Sequence, residues 1–379
     1  MSSKGIALDG SVVRPPYSGV QLSVSHEIQA LAECFPAERL CLFSRDEGLA
    51  AFATERRIAR LAPPFWTSRP AGRATWQQLF LPAILRRCGV AVLHAFAYTA
   101  PLRCPVPYVL NVHDLIALEH PELCATTNVW HMRALLPGSA RRAAMNIVST
   151  EHVAGRLMSI LGIPHERIVV APLGVDAARF STPAPRPAEL SPLADRPYLL
   201  FVSNIEPKKG LDTLLDAYAA CADAIGGLPL VIAGRAAWKS AAVVQRIQHW
   251  RGPGTIYWLG RASAAILPGL YQHAAALVMP SITEGFGMPV LEAMAAGTPV
   301  IHSDHPALCE AAGNAGLSFA VGDAQDLAAK LRRLQQSKSL QEELRAAGRQ
   351  HAASFTWRRW GESAAAVLKQ ILQSGKGGA

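Results

Sequence analysis

Two carboxylates flank a glycine-broken turn in the most chemically suggestive stretch of this sequence. Glu284 comes just before Gly285 and Gly287, and Glu292 follows them. Glycines let a backbone approach a ligand closely, and the free N–H groups at a helix start bind anions. Because carboxylates also accept hydrogen bonds from vicinal hydroxyls, the stretch suits a ligand that carries hydroxyl groups and phosphate together.

The elements around this turn are predicted as strand, turn and helix. An apolar run of strand length, residues 274–280, precedes it. Residues 290–296 are good helix formers, with Pro289 tolerated in the first turn and Gly297 as a C-terminal stop. A purely structural turn is the alternative, since an acid near a helix start also answers the helix dipole.

The whole stretch from Ser281 to Gly297 is a more specific signal than its glycine turn or its two acids taken alone. It resembles the E-x7-E signature of retaining glycosyltransferases with the GT-B fold, family 4 in particular, with Glu284 and Glu292 at the two signature positions. The resemblance implies that Glu292 binds the ribose hydroxyls of a nucleoside-diphosphate sugar. It also implies that Glu284 binds the sugar hydroxyls, together with the backbone amides of Gly285, Phe286, Gly287 and Met288.

A second turn carries two adjacent cations, Lys208 and Lys209, between the apolar run 198–203 and a predicted helix over 211–222. Cations before a helix start reinforce its dipole against a pyrophosphate, whereas solvated surface lysines are the alternative. The Glu-Pro-Lys-Lys string resembles the family's Glu-Pro-Arg-Lys, which implies that Lys209 binds donor phosphate. Ser203 stands where many relatives carry arginine, so Lys209 would have to balance more of the negative charge of the donor phosphate by itself.

Several other residues also match positions of the family's motifs, but each is a weaker signal than the two turns above. Gly234 follows a predicted strand where a base or ribose would approach, and Arg261 follows another in the region that frames the nucleobase. Ser18 and Gly19 match the loop that lies against the donor phosphates and the acceptor, with a plain turn as the alternative.

Two histidines, His94 and His113, end predicted strands of the first half. Ligands gather at the carboxyl edge of a parallel sheet, although a structural histidine is the alternative for each. Asp114 either orients the ring of His113 or caps the loop. His113-Asp-Leu resembles mannosyltransferase-like members, which implies reacting-centre roles for His113, Glu284 and Lys209. Ser18, His94 and Asp114 are then expected on the acceptor side, and no nucleophile is assigned.

Alternating apolar runs and helical patterns predict an α/β fold with parallel sheets. The resemblance implies GT-B: two Rossmann-like domains facing across a cleft, with a C-terminal helix crossing back to the first. We expect an acceptor domain over 1–177, a proline-rich linker over 178–196 and a donor domain over 197–354. Residues 355–379 then form the crossing helix, anchored by Trp357 and Trp360, and a frayed tail.

Composition limits the protein class. With 379 residues, 50% of them hydrophobic and 17% charged, the chain can fill two globular cores. The seven cysteines are scattered and never spaced as C-x-x-C, so no zinc site or disulfide framework is indicated and the cytoplasm is the expected compartment. We expect no signal peptide, because only a strand-length apolar run follows residues 1–5, and no membrane span, because no uninterrupted apolar stretch approaches the necessary length. Asp-x-Asp, the usual metal-holding motif of the other major glycosyltransferase fold, does not occur in the sequence. We therefore expect a reaction that needs no metal ion and no cofactor.

The resemblance therefore implies retaining transfer of a hexose from a nucleoside-diphosphate sugar to a glycan or polyprenyl-linked acceptor, with GDP-mannose favoured among donors by the mannosyltransferase-like strings. A nucleotide-sugar epimerase or phosphorylase of the same fold is the nearest alternative. A nicotinamide oxidoreductase would need G-x-G-x-x-G after the first strand of a domain, and neither half has it. A nucleic-acid-binding protein would need a recognisable basic module, and none is evident.

The net charge of +9 is unevenly distributed, because eight arginines and no acid lie between Glu55 and Asp114. Residues 76–87 of this segment predict a helix with an apolar side and Arg86-Arg87 at its end. One interpretation is an ordinary surface helix whose arginines answer its dipole. The other is docking on anionic lipid at the inner face of the plasma membrane.

Overall fold

The computed structural model describes residues 5–15, 17–36 and 39–374. It divides into two compact units, and each has its own parallel sheet. The first unit contains the chain up to Glu119, Thr126–Gly174 and the chain from Trp357 onward; the second contains His120–Ala125 and Val175–Thr356. The tail after Ser374, which we expected to fray, lies outside the described residues, as does Pro16 of the Ser18–Gly19 loop.

The first unit is built on seven parallel strands in the order β3-β2-β1-β4-β5-β6-β7. The strands are β1 (Gly5–Asp9), β2 (Leu40–Phe43), β3 (Ala59–Leu61), β4 (Val90–Ala95), β5 (Tyr108–Asn111), β6 (Met145–Val148) and β7 (Ile168–Val170). Central strands such as β1 and β2 are buried throughout, as expected of a parallel sheet covered on both faces.

Helices complete the first unit within the ranges that the structure describes. They are α1 (Gly19–Glu33), α2 (Glu47–Glu55), α3 (Pro70–Thr75), α4 (Leu81–Cys88), α5 (Ile116–Glu119), α6 (Thr126–Arg142), α7 (Glu151–Leu161) and the last helix of the chain, α16 (Trp357–Ser374). The last helix packs closely on α1, since a Cβ at Gly361 would lie 2.6 Å from the carbonyl oxygen of Ala30. Trp360 is buried, and Trp357 stacks on His26.

The second unit has six parallel strands in the order β10-β9-β8-β11-β12-β13. The strands are β8 (Tyr198–Val202), β9 (Leu230–Ala233), β10 (Ile256–Gly260), β11 (Ala274–Met279), β12 (Val300–Ser303) and β13 (Leu317–Phe319). Its helices are α8 (Ala177–Ser181), α9 (Leu211–Cys221), α10 (Ala241–Gln248), α11 (Leu267–Gln272), α12 (Met288–Ala296), α13 (Pro306–Ala312), α14 (Ala324–Gln336) and α15 (Lys338–Ala352).

The domain boundaries differ from the expected ones in two places. Residues 120–125 belong to the second unit, and the predicted linker over 178–196 is folded onto it. There α8 and a 3-10 turn over Ala188–Leu193 bury Phe180, Leu190 and Leu193. Apolar side chains between the prolines hold this stretch against the unit, so it is not an open linker.

No helix among the described residues is both long and apolar enough to span a membrane.

Candidate functional site

The turn between β11 and α12 begins the site in the second unit. Gly287, the N-cap of α12, has φ of 110°, a conformation that side chains other than glycine rarely adopt. A Cβ on it would also lie 2.5 Å from Leu308 Cδ2. Gly285 and Phe286 are buried in this turn, and Met288 is half-buried where the helix begins. Glycine is thus required here by backbone conformation and by packing.

The turn between β8 and α9 lies directly against it. Pro207–Lys209 form a 3-10 turn that ends at Gly210, with φ of 63°. A Cβ on Gly210 would lie 2.0 Å from the carbonyl oxygen of Pro280, and Ile282 N donates to Lys208 O at 2.8 Å. The two turns predicted separately from the sequence are therefore fixed to each other by backbone contacts.

This contact brings Lys209 and Glu284 together. Lys209 Nζ lies 2.6 Å from Glu284 Oε1, and Ser281 Oγ donates to the same oxygen at 2.8 Å. Burial alone would raise the pKa of Glu284, but the charges of Lys209 and Lys208 and these hydrogen bonds lower it below its ordinary value. Glu284 is therefore a buried carboxylate that stays ionised.

Glu206 is a second buried acid beside the lysines, and its sequence position alone predicted no role for it. Its Oε1 lies 3.7 Å from Lys208 Nζ, while its buried Oε2 has no hydrogen-bond partner among the described residues. Burial raises the pKa of Glu206 despite both lysines, and the charge of Glu284 raises it further. The signal that could have revealed Glu206 is its place three residues before Lys209 in the Glu-Pro-Lys-Lys string.

Glu292 lies in the second turn of α12 and is oriented by a tyrosine from α11. Tyr271 Oη donates to Glu292 Oε2 at 2.7 Å, and Tyr271 is fully buried. Burial raises the pKa of Glu292, although the tyrosine hydrogen bond and the charge of Arg179 oppose the rise. Glu292 is half-buried, which leaves a fixed acceptor at the surface of this unit.

Packing or helix capping explains some of the other residues that were predicted to bind the donor or the acceptor. A Cβ on Gly234 would lie 1.6 Å from Ser203 O, so close strand packing alone requires glycine there. Arg261 is exposed just after β10. In the first unit Ser18 and Gln21 form a capping box at the start of α1, and Gly19 is exposed, with nothing within 4 Å of where a Cβ would lie.

In the first unit a strained loop holds His113 and Asp114. His113 Nε2 bonds to Phe96 O at 2.8 Å, and Tyr98 Oη donates to Asp114 Oδ2 at 2.6 Å. The Tyr98 ring meets the His113 ring edge-on at 5.4 Å between centroids. Tyr98 has φ of 60°, which costs free energy for an aromatic residue and is typical of functional sites. Asp114 also accepts from Ile116 N, so it both binds the tyrosine and caps α5.

His94 does not reach a surface, which corrects the expectation that it faces an acceptor. It is fully buried and stacks on Phe96, with Nε2 at 2.8 Å from Asn111 Oδ1. Asn111 Nδ2 in turn donates to the buried Glu27 Oε2 at 2.8 Å. Burial lowers the pKa of His94 to about 4 and raises that of Glu27 to about 8. His94 is thus a neutral core histidine, because α1 and α16 cover the sheet at this strand end.

Comparison with known proteins places this arrangement in a family. The Glycosyltransferase Family 4 model matches residues 17–179, and the Glycosyl transferases group 1 model matches residues 187–351. The O-antigen chain mannosyltransferase B of Escherichia coli is 31% identical over 66% of this chain and 66% of its own length. A D-inositol 3-phosphate glycosyltransferase of Jonesia denitrificans is 31% identical over 67% of this chain and 64% of its own. The chain thus spans slightly less than two thirds of these two relatives.

A similar protein of Actinosynnema mirum, also a D-inositol 3-phosphate glycosyltransferase, is 30% identical over 71% of this chain and 68% of its own length. Among solved structures, Anabaena Alr3699/HepE in complex with UDP-glucose has a TM-score of 0.72 at 18% identity, covering 97% and 99% of the two chains. WaaG, a glycosyltransferase involved in lipopolysaccharide biosynthesis, has a TM-score of 0.72 at 16% identity, covering 96% and 99%. These structural likenesses confirm a GT-B fold of two Rossmann-like domains. Together, the family models and relatives show that the chain belongs to glycosyltransferase family 4, group 1.

Proposed function

We propose that this protein is a retaining glycosyltransferase that moves a hexose from a nucleoside-diphosphate sugar to a glycan or lipid-linked acceptor. The observation that carries the proposal is the fixed contact between the Lys208-Lys209 turn and the Glu284 turn. It places two ammonium groups and a buried carboxylate beside the glycine turn that starts α12. That combination suits a ligand with phosphate and hydroxyl groups side by side.

Charge balance supports binding of a diphosphate at this site. Before the donor arrives, Lys208 and Lys209 face Glu206 and Glu284, so buried cations are not left uncompensated. An ammonium group has three N–H donors, and Lys209 can therefore keep Glu284 and still contact phosphate. Lys209 would then stabilise charge on the leaving diphosphate as the glycosidic bond breaks, without a metal ion or cofactor.

We assign the other site residues to the ribose, the transferred sugar and the reacting centre. Glu292, held by Tyr271, would accept hydrogen bonds from the ribose hydroxyls, and Glu284 would accept them from the transferred sugar. His113 would act at the reacting centre, held by Phe96 and oriented against Tyr98. No side chain needs to act as a nucleophile if the leaving phosphate serves as the base on the same face of the sugar.

GDP-mannose is the proposed donor. The mannosyltransferase relative and the Glu-Pro-Lys-Lys and His-Asp-Leu strings support mannose, whereas the UDP-glucose complex of the Anabaena structure makes UDP-glucose the competitor. A thermal-shift panel of nucleoside diphosphates and their sugars tests both. A specific ligand at a hundred times its dissociation constant stabilises by about 2.7 kcal/mol. Stabilisation by none of the panel would overturn the proposed function.

We also propose that the protein docks on anionic membranes through an apolar patch of the first unit, defined by Leu61, Phe65, Leu79 and Phe80. Phe65 is 76% exposed and Leu79 70% exposed. Trp66, next to Phe65 in the chain, meets the Phe80 ring at 5.8 Å between centroids, which brings the Phe65 and Phe80 parts of the patch close together. A single π-turn over Trp76–Phe80 joins α3 to α4 and turns Leu79 and Phe80 outward.

Exposed arginines around the patch would contact lipid phosphate. Arg56 is paired with Glu33 and Arg60 donates to Ser44 O, so Arg69, Arg86 and Arg87 are the better candidates. Each basic residue near an anionic surface contributes about 1 kcal/mol. Vesicle co-sedimentation should show binding that needs anionic lipid and falls with salt.

Two variants, one double and one triple, separate the apolar and the charge contributions to docking. Phe65→Ser with Leu79→Ser should weaken binding at every salt concentration, whereas glutamines at Arg69, Arg86 and Arg87 should remove its salt dependence. Equal binding to neutral vesicles, or none to anionic ones, would refute the docking proposal and leave a soluble acceptor.

A further inference from the structure

Glu206 is the buried acid of the second unit's site whose charge is balanced least. Its Oε1 lies 3.7 Å from Lys208 Nζ, which is an ion-pair distance but longer than a hydrogen bond. Its buried Oε2 has no hydrogen-bond partner among the described residues. A carboxylate in this position keeps its negative charge only through nearby cations, because neither water nor hydrogen bonds stabilise both of its oxygens.

The hydrogen bonds of the site go to the other buried acid, Glu284. Lys209 Nζ and Ser281 Oγ both bond to Glu284 Oε1, at 2.6 and 2.8 Å. Burial raises the pKa of Glu206, and the charges of the two lysines oppose this rise only in part. The pKa of Glu284, in contrast, is lowered in spite of its burial. Of the two acids, Glu206 is therefore the one that a change in local charge would protonate.

The charged groups around Glu206 lie on three segments within the described ranges. Lys208 and Lys209 belong to its own turn, and Glu284 belongs to the turn before α12. The loop after β9 pairs through its backbone with the residue before Glu206 and carries Arg235, whose side chain is exposed.

A diphosphate that binds here changes this balance. In its absence the two ammonium groups face two carboxylates, and their charges cancel. The diphosphate adds negative charge close to Glu206 and takes a share of the charge of Lys208, which is the cation that Glu206 faces. Both changes favour the protonated form of a buried carboxyl group.

We propose that Glu206 takes up one proton from solvent when a diphosphate binds at the Lys208-Lys209 turn, and returns it to solvent when the diphosphate leaves. The identity of the ligand, a nucleoside diphosphate, rests on the proposed function. The proton forms an O–H bond on the carboxylate and removes the negative charge that Lys208 no longer balances. Because the complex holds a proton that the free protein lacks, diphosphate affinity falls as pH rises, by up to about tenfold per pH unit.

Calorimetric titration with GDP and with UDP, in HEPES and in Tris, counts these protons, since the measured heat varies with the ionisation enthalpy of the buffer. At about pH 8 the phosphates of the ligand are ionised and contribute little. We expect uptake of about 0.5 to 1 proton per bound ligand in the wild type and almost none in Glu206→Gln. Glu343→Gln is the matched control, because Glu343 is an exposed acid of the same unit, and it should keep the uptake.

The affinity of Glu206→Gln separates this role from a merely structural one. Its amide is neutral, as the protonated acid is, so it should bind the diphosphate at least as tightly as the wild type above about pH 8, with a flatter pH dependence. A structural role predicts weaker binding at every pH. If Glu206→Gln fails to fold, Lys208→Gln decides the test: without that ammonium group, Glu206 already holds its proton in the free protein, and the uptake should shrink.

Two results would overturn the inference and leave the donor site in place: no proton uptake in the wild type, or equal uptake in the wild type and Glu206→Gln. Failure of GDP, UDP and inorganic pyrophosphate to bind would overturn the proposed function together with this inference, so the two failures are distinguished.

Discussion

At the scale of single residues, burial sets the ionisation of the first unit's core. Glu27 is protonated at neutral pH because its pKa is raised from 4.5 to about 8, chiefly by burial. Between pH 4.5 and about 8, Glu27 is deprotonated in the unfolded chain but still protonated in the folded chain. The free energy of unfolding therefore falls as pH rises, by up to about 1.4 kcal/mol per pH unit.

His94 acts in a different pH window. Its pKa is lowered from 6.5 to about 4, so it costs stability only as pH falls below 6.5. Denaturant unfolding between pH 6.5 and 8 thus reports on Glu27. We expect Glu27→Gln to flatten the pH dependence, while Glu33→Gln, an exposed acid of the same helix, keeps it. A wild-type protein equally stable across this window would contradict the prediction.

Tyr98 links backbone strain to the position of His113, whose role at the reacting centre is proposed above. Asparagine tolerates the left-handed conformation, so Tyr98→Asn should relieve strain while removing the contacts to His113 and Asp114. We expect thermal stability to be preserved and turnover of the identified donor to fall by about tenfold or more, the scale of misplaced catalytic groups. Tyr98→Phe keeps the ring and should lose less. Full activity in Tyr98→Asn would remove the tyrosine from any positioning role.

At the scale of elements, the contact between the two turns depends on Gly210. Alanine there would suffer both the left-handed conformation and a 2.0 Å clash with Pro280 O. Gly226→Ala is the control, since Gly226 has a similar φ of 70° and nothing within 4 Å. The conformational cost alone is about 1–2 kcal/mol.

We expect Gly210→Ala to exceed that cost in denaturant unfolding and to weaken nucleoside diphosphate binding, whereas Gly226→Ala affects stability alone. The same loss of stability in both variants, with binding retained, would show that the two turns need not be fixed to each other.

Elements with a strong hydrophobic pattern were predictable, and those governed by packing were not. Within the described ranges most strands match apolar runs, whereas β3 is a short edge strand whose three residues are exposed. The π-turn at Trp76–Phe80 leaves the helical pattern intact, so periodicity predicted one plain helix there.

Among the site residues, Glu284 and the lysines were found through their motifs. Glu206 stands in the Glu-Pro-Lys-Lys string, but its contact with Lys208, like that of Tyr271 with Glu292, is made only in the fold. His94 was wrongly predicted to face an acceptor, because the helices that cover it are distant in sequence.

At the scale of the whole molecule, each unit carries part of the predicted chemistry. The second unit holds the lysines and both glutamates, and the first holds His113, Asp114 and Tyr98. The GT-B fold and the family are confirmed, while the site roles, the donor and membrane docking stay predictions. The account rests above all on donor diphosphate binding at Lys209.

The most direct test is a calorimetric titration with the nucleoside diphosphate selected by the thermal-shift panel. Lys209→Gln is compared with Lys330→Gln, a lysine of the same unit that lies near Asp326 on α14 and outside the site. We predict that the wild type and Lys330→Gln bind equally and that Lys209→Gln binds about tenfold more weakly or worse. Wild-type affinity in Lys209→Gln would contradict the account.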